Sequence, residues 1–146
     1  MPTRNGSMST HMVASNIEGV YFVEAQKAMG NDPLQIVVVD DESQITDLIQ
    51  FFIESLGKPA GIHTFNDSRQ AREYLKSNSV DVLITDYKMP FVSGLELLEA
   101  AAPEVRKILI SGYVSEIAVD KIHQMKATFF EKPVPMKELS RSIFEG

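Results

Sequence analysis

From Leu34 onward the sequence predicts an α/β fold in which a parallel sheet carries helices on both faces. Short runs rich in β-branched and aromatic residues alternate with segments of helical periodicity, and five such units can be counted. No internal repeat or low-complexity tract suggests another architecture. The length of 146 residues suits one domain with a real hydrophobic core and is too short for two ordinary ones.

The strands are expected at Gln35–Val39, Ala60–Phe65, Val80–Thr85, Lys107–Ile110 and Ala127–Glu131. The clearest helix lies between the first two, where Ile45, Leu48, Ile49, Phe52, Ile53 and Leu56 form an apolar stripe that ends at Gly57 and Pro59. Further helices are expected at Asp67–Ser77, Gly94–Ala101, Ser115–Met125 and Met136–Phe144. Upstream, residues 1–12 have the look of a vector-derived leader, with Gly6-Ser7-Met8 and His11-Met12. Residues 13–33 form an N-terminal extension. Ile17, Val20, Tyr21, Ala25 and Ala28 recur there at helical spacing, Ser15 and Glu18 make a capping box, and Gly30 offers a stop. The Val20–Val23 run reads equally well as a strand.

Composition excludes several functions. With 44% apolar and 23% charged residues the chain is expected to be a soluble globular protein. No apolar run approaches the length of a membrane span and the N-terminal residues lack the charged-then-apolar order of a signal peptide, so a cytoplasmic location is expected. Zero cysteines exclude disulfides, thiolate metal sites and a cysteine nucleophile. A net charge of −6 with no basic stripe argues against direct nucleic-acid binding, which depends on neutralising phosphates. Any DNA-binding output is expected to lie outside this chain.

Open α/β sheets bind ligands at the carboxyl ends of their strands. The first strand runs into Asp40-Asp41-Glu42, the third into Asp86, the fourth into Ser111-Gly112 and the fifth into Lys132-Pro133. Each of these has an ordinary structural explanation when taken singly, since acidic pairs cap helices, Ser-Gly makes turns and Lys-Pro ends strands. Together they bring carboxylates, a hydroxyl and an ammonium to one rim. Clustered carboxylates repel one another, and a hard divalent cation with oxygen ligands relieves that repulsion, which makes Mg²⁺ the natural cofactor.

The fragments Ile36-Val37-Val38-Val39-Asp40-Asp41-Glu42, Leu83-Ile84-Thr85-Asp86-Tyr87-Lys88-Met89-Pro90 with Gly94, Ile110-Ser111-Gly112-Tyr113 and Phe129-Phe130-Glu131-Lys132-Pro133 resemble, in order, the motifs of the receiver domain of two-component response regulators. The resemblance covers residues 34 to 144 within an expected domain of residues 34–146. It implies a flavodoxin-like (βα)5 fold with strand order 2-1-3-4-5. It also implies a signalling switch in which Asp86 accepts a phosphoryl group from a histidine kinase or a histidine phosphotransfer protein. Asp41 and Asp86 would bind Mg²⁺ directly, the Lys88 backbone carbonyl would be a third ligand, and Asp40 would act through a metal-bound water. Lys132 would neutralise charge on the transferring group, and Ser111 would hydrogen-bond a phosphoryl oxygen. Ser111 and Phe129 would form the switch pair, while Lys88 and Tyr113 would flank the phosphoryl group and tune its lifetime. A receiver of this kind catalyses its own phosphorylation and dephosphorylation and no other turnover. Association with a second copy is a further expectation.

This sequence departs from the family pattern in three places. The Asp86-to-Ser111 stretch is a few residues short, which predicts a truncated third helix or following loop. Met125-Lys126-Ala127 stands where a small Gly-Ala pair is usual, and Phe129 lacks the hydroxyl of a tyrosine. Other readings fit less well. A haloacid-dehalogenase-type phosphohydrolase wants an Asp-x-Asp motif after the first strand, where this chain has Asp40-Asp41, and a flavin module wants a phosphate loop there. A receiver-like interaction domain that is never phosphorylated does not need the full acidic set. Glu42 is expected to cap the first helix or to line the outer shell of the metal. His63 and His123 stand alone without ligand spacing, and Met89, Met125 and Met136 are packing residues.

Overall fold

The computed structural model describes residues 32–113 and 116–145, with the side chains of residues 116–118 excepted. The expected leader, the extension at residues 13–31 and Ser115 lie outside the described residues. Ten elements alternate: β1 (Leu34–Val39), α1 (Ser43–Ser55), β2 (Ala60–Phe65), α2 (Ser68–Ser77), β3 (Val82–Asp86), α3 (Gly94–Ala100), β4 (Arg106–Ser111), α4 (Glu116–Gln124), β5 (Thr128–Glu131) and α5 (Met136–Phe144). The strands form one parallel five-stranded sheet in the order β2-β1-β3-β4-β5.

The two sides of the sheet follow from the alternation of side chains along each strand. Val37, Val39, Leu83 and Leu109 pack with Ala71 of α2, Leu97 and Leu98 of α3 and Ile122 of α4. Ile36, Val38, Ile84, Ile108 and Ile110 pack on the other side with Ile49 and Ile53 of α1 and Leu139 and Ile143 of α5. Burial on both faces explains why β1 and β3 read as continuous apolar runs. Each fully buried Ile or Leu contributes about 1.5–3 kcal/mol relative to exposure. In α1 the expected stripe holds at Ile49 and Ile53, whereas Leu48 is 51% exposed and turns outward with Phe51.

Local signals fix the helix ends. Asp67 caps α2 by accepting from the Arg69 N–H at 2.9 Å, and Ser93 with Glu96 forms a complete capping box on α3. Glu42 occupies the N-cap position of α1, yet its side chain makes no cap bond, so the expected cap is positional alone. The shortened Asp86–Ser111 stretch appears as a seven-residue α3. At the Met125-Lys126-Ala127 turn, Lys126 takes φ 58° and Ala127 N–H donates to Ile122 O at 3.0 Å. That is the left-handed helix end that glycine usually makes. Among the described residues no helix is long and apolar enough to cross a membrane.

Candidate phosphoacceptor and metal site

β1 and β3 are neighbours in the sheet but not in the chain, and a crevice opens at their carboxyl ends where the strand order reverses. The parallel register pairs Val39 with Thr85, so Asp40, which follows β1, stands beside Asp86, the last residue of β3. Asp40 and Asp86 are buried, and Asp41 beside them is exposed. Among the described residues, Asp40, Asp41 and Asp86 form the group able to hold a metal ion, with ligand oxygens all within 4.8 Å of one another.

Hydrogen bonds fix the Asp40 carboxylate and the backbone at Asp40 and Asp86. Asp40 Oδ1 accepts from the Glu42 N–H at 2.9 Å, and the Asp40 carbonyl accepts from Asn66 Nδ2 at 2.8 Å. The Asp86 carbonyl accepts from Thr85 Oγ1 at 2.9 Å. Gly94 packs so closely on that carbonyl that a β-carbon would collide with it, and its N–H donates to Tyr87 O at 2.8 Å. Glycine is therefore required at position 94 for close approach.

β5 brings in the cation. Lys132, whose N–H donates to Ser111 O at 2.8 Å, places Nζ 3.0 Å from Asp40 Oδ2 and 3.4 Å from Asp86 Oδ1. The peptide bond from Lys132 to Pro133 is cis. Burial raises Asp40 above the usual carboxylate range despite hydrogen bonds from Glu42 and Lys132. Burial, followed by the neighbouring charge of Asp40, pushes Asp86 up to about 6. Burial pulls Lys132 down, but its contacts with Asp40 and Asp86 outweigh this and leave it raised. Three carboxylates face one ammonium, so the site carries excess negative charge that a hard dication with oxygen ligands would balance.

The remaining expected residues lie around this centre. Ser111, 4% exposed, donates its hydroxyl to Tyr113 O at 2.7 Å and accepts from the Tyr113 N–H at 3.1 Å. Its hydroxyl is thus engaged within its own turn. The Lys88 and Tyr113 side chains meet, with Lys88 Nζ 5.1 Å from the Tyr113 ring centroid. Phe129 is half-buried and packs against the core beneath α2, α3 and α4. His63 stacks on Tyr74 and hydrogen-bonds Gln35. Sequence reasoning missed Asn66 and Ser68, which bridge from the β2–α2 turn to the loops that carry the acidic residues. An Asn-Asp-Ser triplet reads first as a helix cap, which hid them.

Comparison with known proteins agrees with this arrangement. The family described as "Response regulator receiver domain" matches residues 36–144. Among curated proteins, the chain is 29% identical over 118 residues to a protein-glutamate methylesterase/protein-glutamine glutaminase of Azospirillum brasilense, covering 77% of this chain and 30% of that protein. It is 24% identical over 139 residues to the autoinducer 1 sensor kinase/phosphatase LuxN of Vibrio campbellii, covering 93% of this chain and 15% of that one. The chain therefore spans less than a third of the length of these relatives. Among solved structures, a CheY-like receiver domain protein of Methanospirillum hungatei superposes with a TM-score of 0.72 at 25% identity, covering 78% of this chain and 93% of the other. A receiver domain protein of Clostridium thermocellum gives a TM-score of 0.65 at 30% identity, covering 77% and 92%. The flavodoxin-like fold, the strand order and the motif residues thus converge with the family match, and the chain belongs to the response regulator receiver domains.

Proposed function

We propose that this domain is a phosphorylation-dependent signalling switch in which Asp86 accepts a phosphoryl group, with a histidine kinase or histidine phosphotransfer protein as the donor. The observation that carries this reading is the convergence of Asp86, Asp40, Asp41 and Lys132 at one rim of the sheet. Near neutral pH, Asp86 with a pKa of about 6 is largely ionised and offers a carboxylate oxygen as nucleophile. That oxygen forms a bond to phosphorus as the phosphorus–nitrogen bond of the donor phosphohistidine breaks, and the departing imidazole nitrogen takes up a proton. Catalysis of such a loose transfer rests on positioning and charge neutralisation.

Asp41 and Asp86 would hold Mg²⁺ with the Lys88 carbonyl, and Asp40 would act through a metal-bound water. The bound ion would supply positive charge to the transferring group. Lys132 lies within reach of Asp86 and would pair with a phosphoryl oxygen from its side of the crevice. The Ser111 hydroxyl would leave Tyr113 O for the phosphoryl group, and Phe129 would follow it inward. Such a switch moves a pre-existing equilibrium by no more than the phosphoryl group's preference for the active state. The output domain or partner would lie outside this chain.

Exposure to acetyl phosphate with Mg²⁺ tests the reading. Intact-mass analysis should show one added phosphoryl group on the wild type and none on Asp86→Asn. An unlabelled wild type in Mg²⁺ would favour a receiver-like interaction domain, and catalytic hydrolysis of unrelated phosphate esters would favour a phosphohydrolase.

A further inference from the structure

The turn between β2 and α2 touches both loops of the acidic site. On one side Asn66 Nδ2 donates to the Asp40 carbonyl at 2.8 Å and to Thr46 Oγ1 at 3.0 Å. On the other side Ser68, 2% exposed, donates its hydroxyl to Pro90 O at 2.7 Å and accepts from the Val92 N–H at 3.0 Å. The same Val92 N–H also reaches Pro90 O at 3.0 Å, which closes a three-residue turn centred on Phe91 at φ 74°. A γ-turn of that hand is rare and strained, and a bulky aromatic residue is an unusual occupant of positive φ. Phe91 is 69% exposed, so core burial does not hold it there. Two contacts from the first turn of α2 hold it. The Ser68 hydroxyl spans both ends of the γ-turn, and the Arg69 guanidinium lies 3.6 Å over the Phe91 ring. Arg69 is itself clamped by both carboxylate oxygens of Asp67 at 3.1 and 2.8 Å.

This turn sits at the far end of the segment that leaves Asp86. At its near end the segment is pinned by Tyr87 N–H on Ile110 O at 3.2 Å and by Gly94 N–H on Tyr87 O at 2.8 Å. Lys88 and Met89 stand between the two pins and are not themselves hydrogen-bonded among the described residues. Their carbonyl directions are therefore set by what holds Tyr87 and Pro90. We propose that Ser68 is a positioning residue of the metal site, locking the strained turn at Phe91 and through it orienting the Lys88 carbonyl relative to Asp86. The inference rests on the metal-site reading given above.

The test is Mg²⁺ titration followed by tyrosine fluorescence or backbone NMR, together with hydrogen exchange at the Val92 amide. Ser68→Ala should weaken Mg²⁺ binding about tenfold, the lower end of what an outer partner of a ligand contributes, and should speed exchange at Val92. Asp67→Ala removes the α2 cap and frees the Arg69 guanidinium but leaves both Ser68 hydroxyl bonds in place, so it should lower the melting temperature and weaken Mg²⁺ binding less than Ser68→Ala does. Coupling between the turn and the metal is reciprocal, so Mg²⁺ added to the wild type should slow exchange at Val92, an arm that needs no variant. Unchanged Mg²⁺ affinity in Ser68→Ala, equal weakening in Asp67→Ala, or Val92 exchange indifferent to Mg²⁺ would each overturn the positioning role. Failure of the metal-site reading has a separate signature: Asp41→Ala would then titrate with Mg²⁺ as the wild type does.

Discussion

Replacing Asp86 by Asn should make the metal-free domain more stable, and the size of the gain can be worked from the site. Burial and the charge of Asp40 raise the Asp86 carboxyl from 3.8 to about 6 in the folded state, after the opposing pull of Lys132 is included. A shift of about two pK units corresponds to about 3 kcal/mol of native-state destabilisation once the group is ionised. A carboxyl whose folded pKa lies above its unfolded value binds its proton more tightly in the native state. Its penalty is therefore absent below pH 3.8, grows as the pH rises towards about 6, and is complete above that. Asn removes the charge and keeps the shape, so Asp86→Asn should gain about 2–3 kcal/mol at pH 8, or roughly 10 °C in Tm, and little at pH 4. Urea unfolding of both proteins in EDTA at the two pH values measures the difference. Saturating Mg²⁺ should then stabilise the wild type and leave the variant nearly unmoved, because the ion binds the native carboxylates. A variant that is no more stable at pH 8, or equally favoured at both pH values, would refute the claim that Asp86 is a strained charge.

Three further outcomes follow from the same geometry. Lys88→Asn combined with Tyr113→Glu removes the contact between the two side chains at the mouth of the site; an exposed cation–π pair contributes about 0.5–1 kcal/mol, so aspartyl-phosphate hydrolysis should speed up about two- to fivefold, read as phosphate release in Mg²⁺ buffer. Ser111→Ala should still accept a phosphoryl group, but the backbone NMR shifts around Phe129 should respond far less than in the wild type; identical responses would remove Ser111 from the switch. Lys126→Gly relieves a left-handed residue at the end of α4 and should add about 1 kcal/mol of stability, measured by urea unfolding, without altering phosphorylation.

Much of this was legible in the sequence because parallel strands buried on both faces must be written as apolar runs. Ile36–Val39 and Val82–Ile84 have few other readings, and the carboxyl ends of such strands are where α/β sheets bind ligands. The acidic pair, Asp86 and Lys132 were found by that rule, and the structure brings them together. Strand edges were less certain, with β3 beginning at Val82 rather than Val80 and extending through Asp86. Ends depend on hydrogen bonds to neighbours far away in sequence, such as Asp81 N–H on Gln35 O at 2.8 Å. The amphipathic reading of α1 overestimated its buried face, because periodicity marks Leu48 as apolar without saying whether anything covers it. Ser68 was invisible for a related reason: its role depends on a loop 24 residues away adopting positive φ at Phe91, and no local pattern encodes that meeting.

In the proposed switch Asp86, alone among the three clustered carboxylates, carries the phosphoryl group. Phosphorylation with acetyl phosphate and Mg²⁺, followed at once by borohydride reduction and peptide sequencing by mass spectrometry, tests it most directly, because reduction converts an aspartyl phosphate to homoserine at the modified position. The account predicts homoserine at position 86 and unmodified aspartate at 40 and 41. Homoserine at Asp40 or Asp41, or a phosphoryl group that resists reduction on a hydroxyl or histidine side chain, would contradict it.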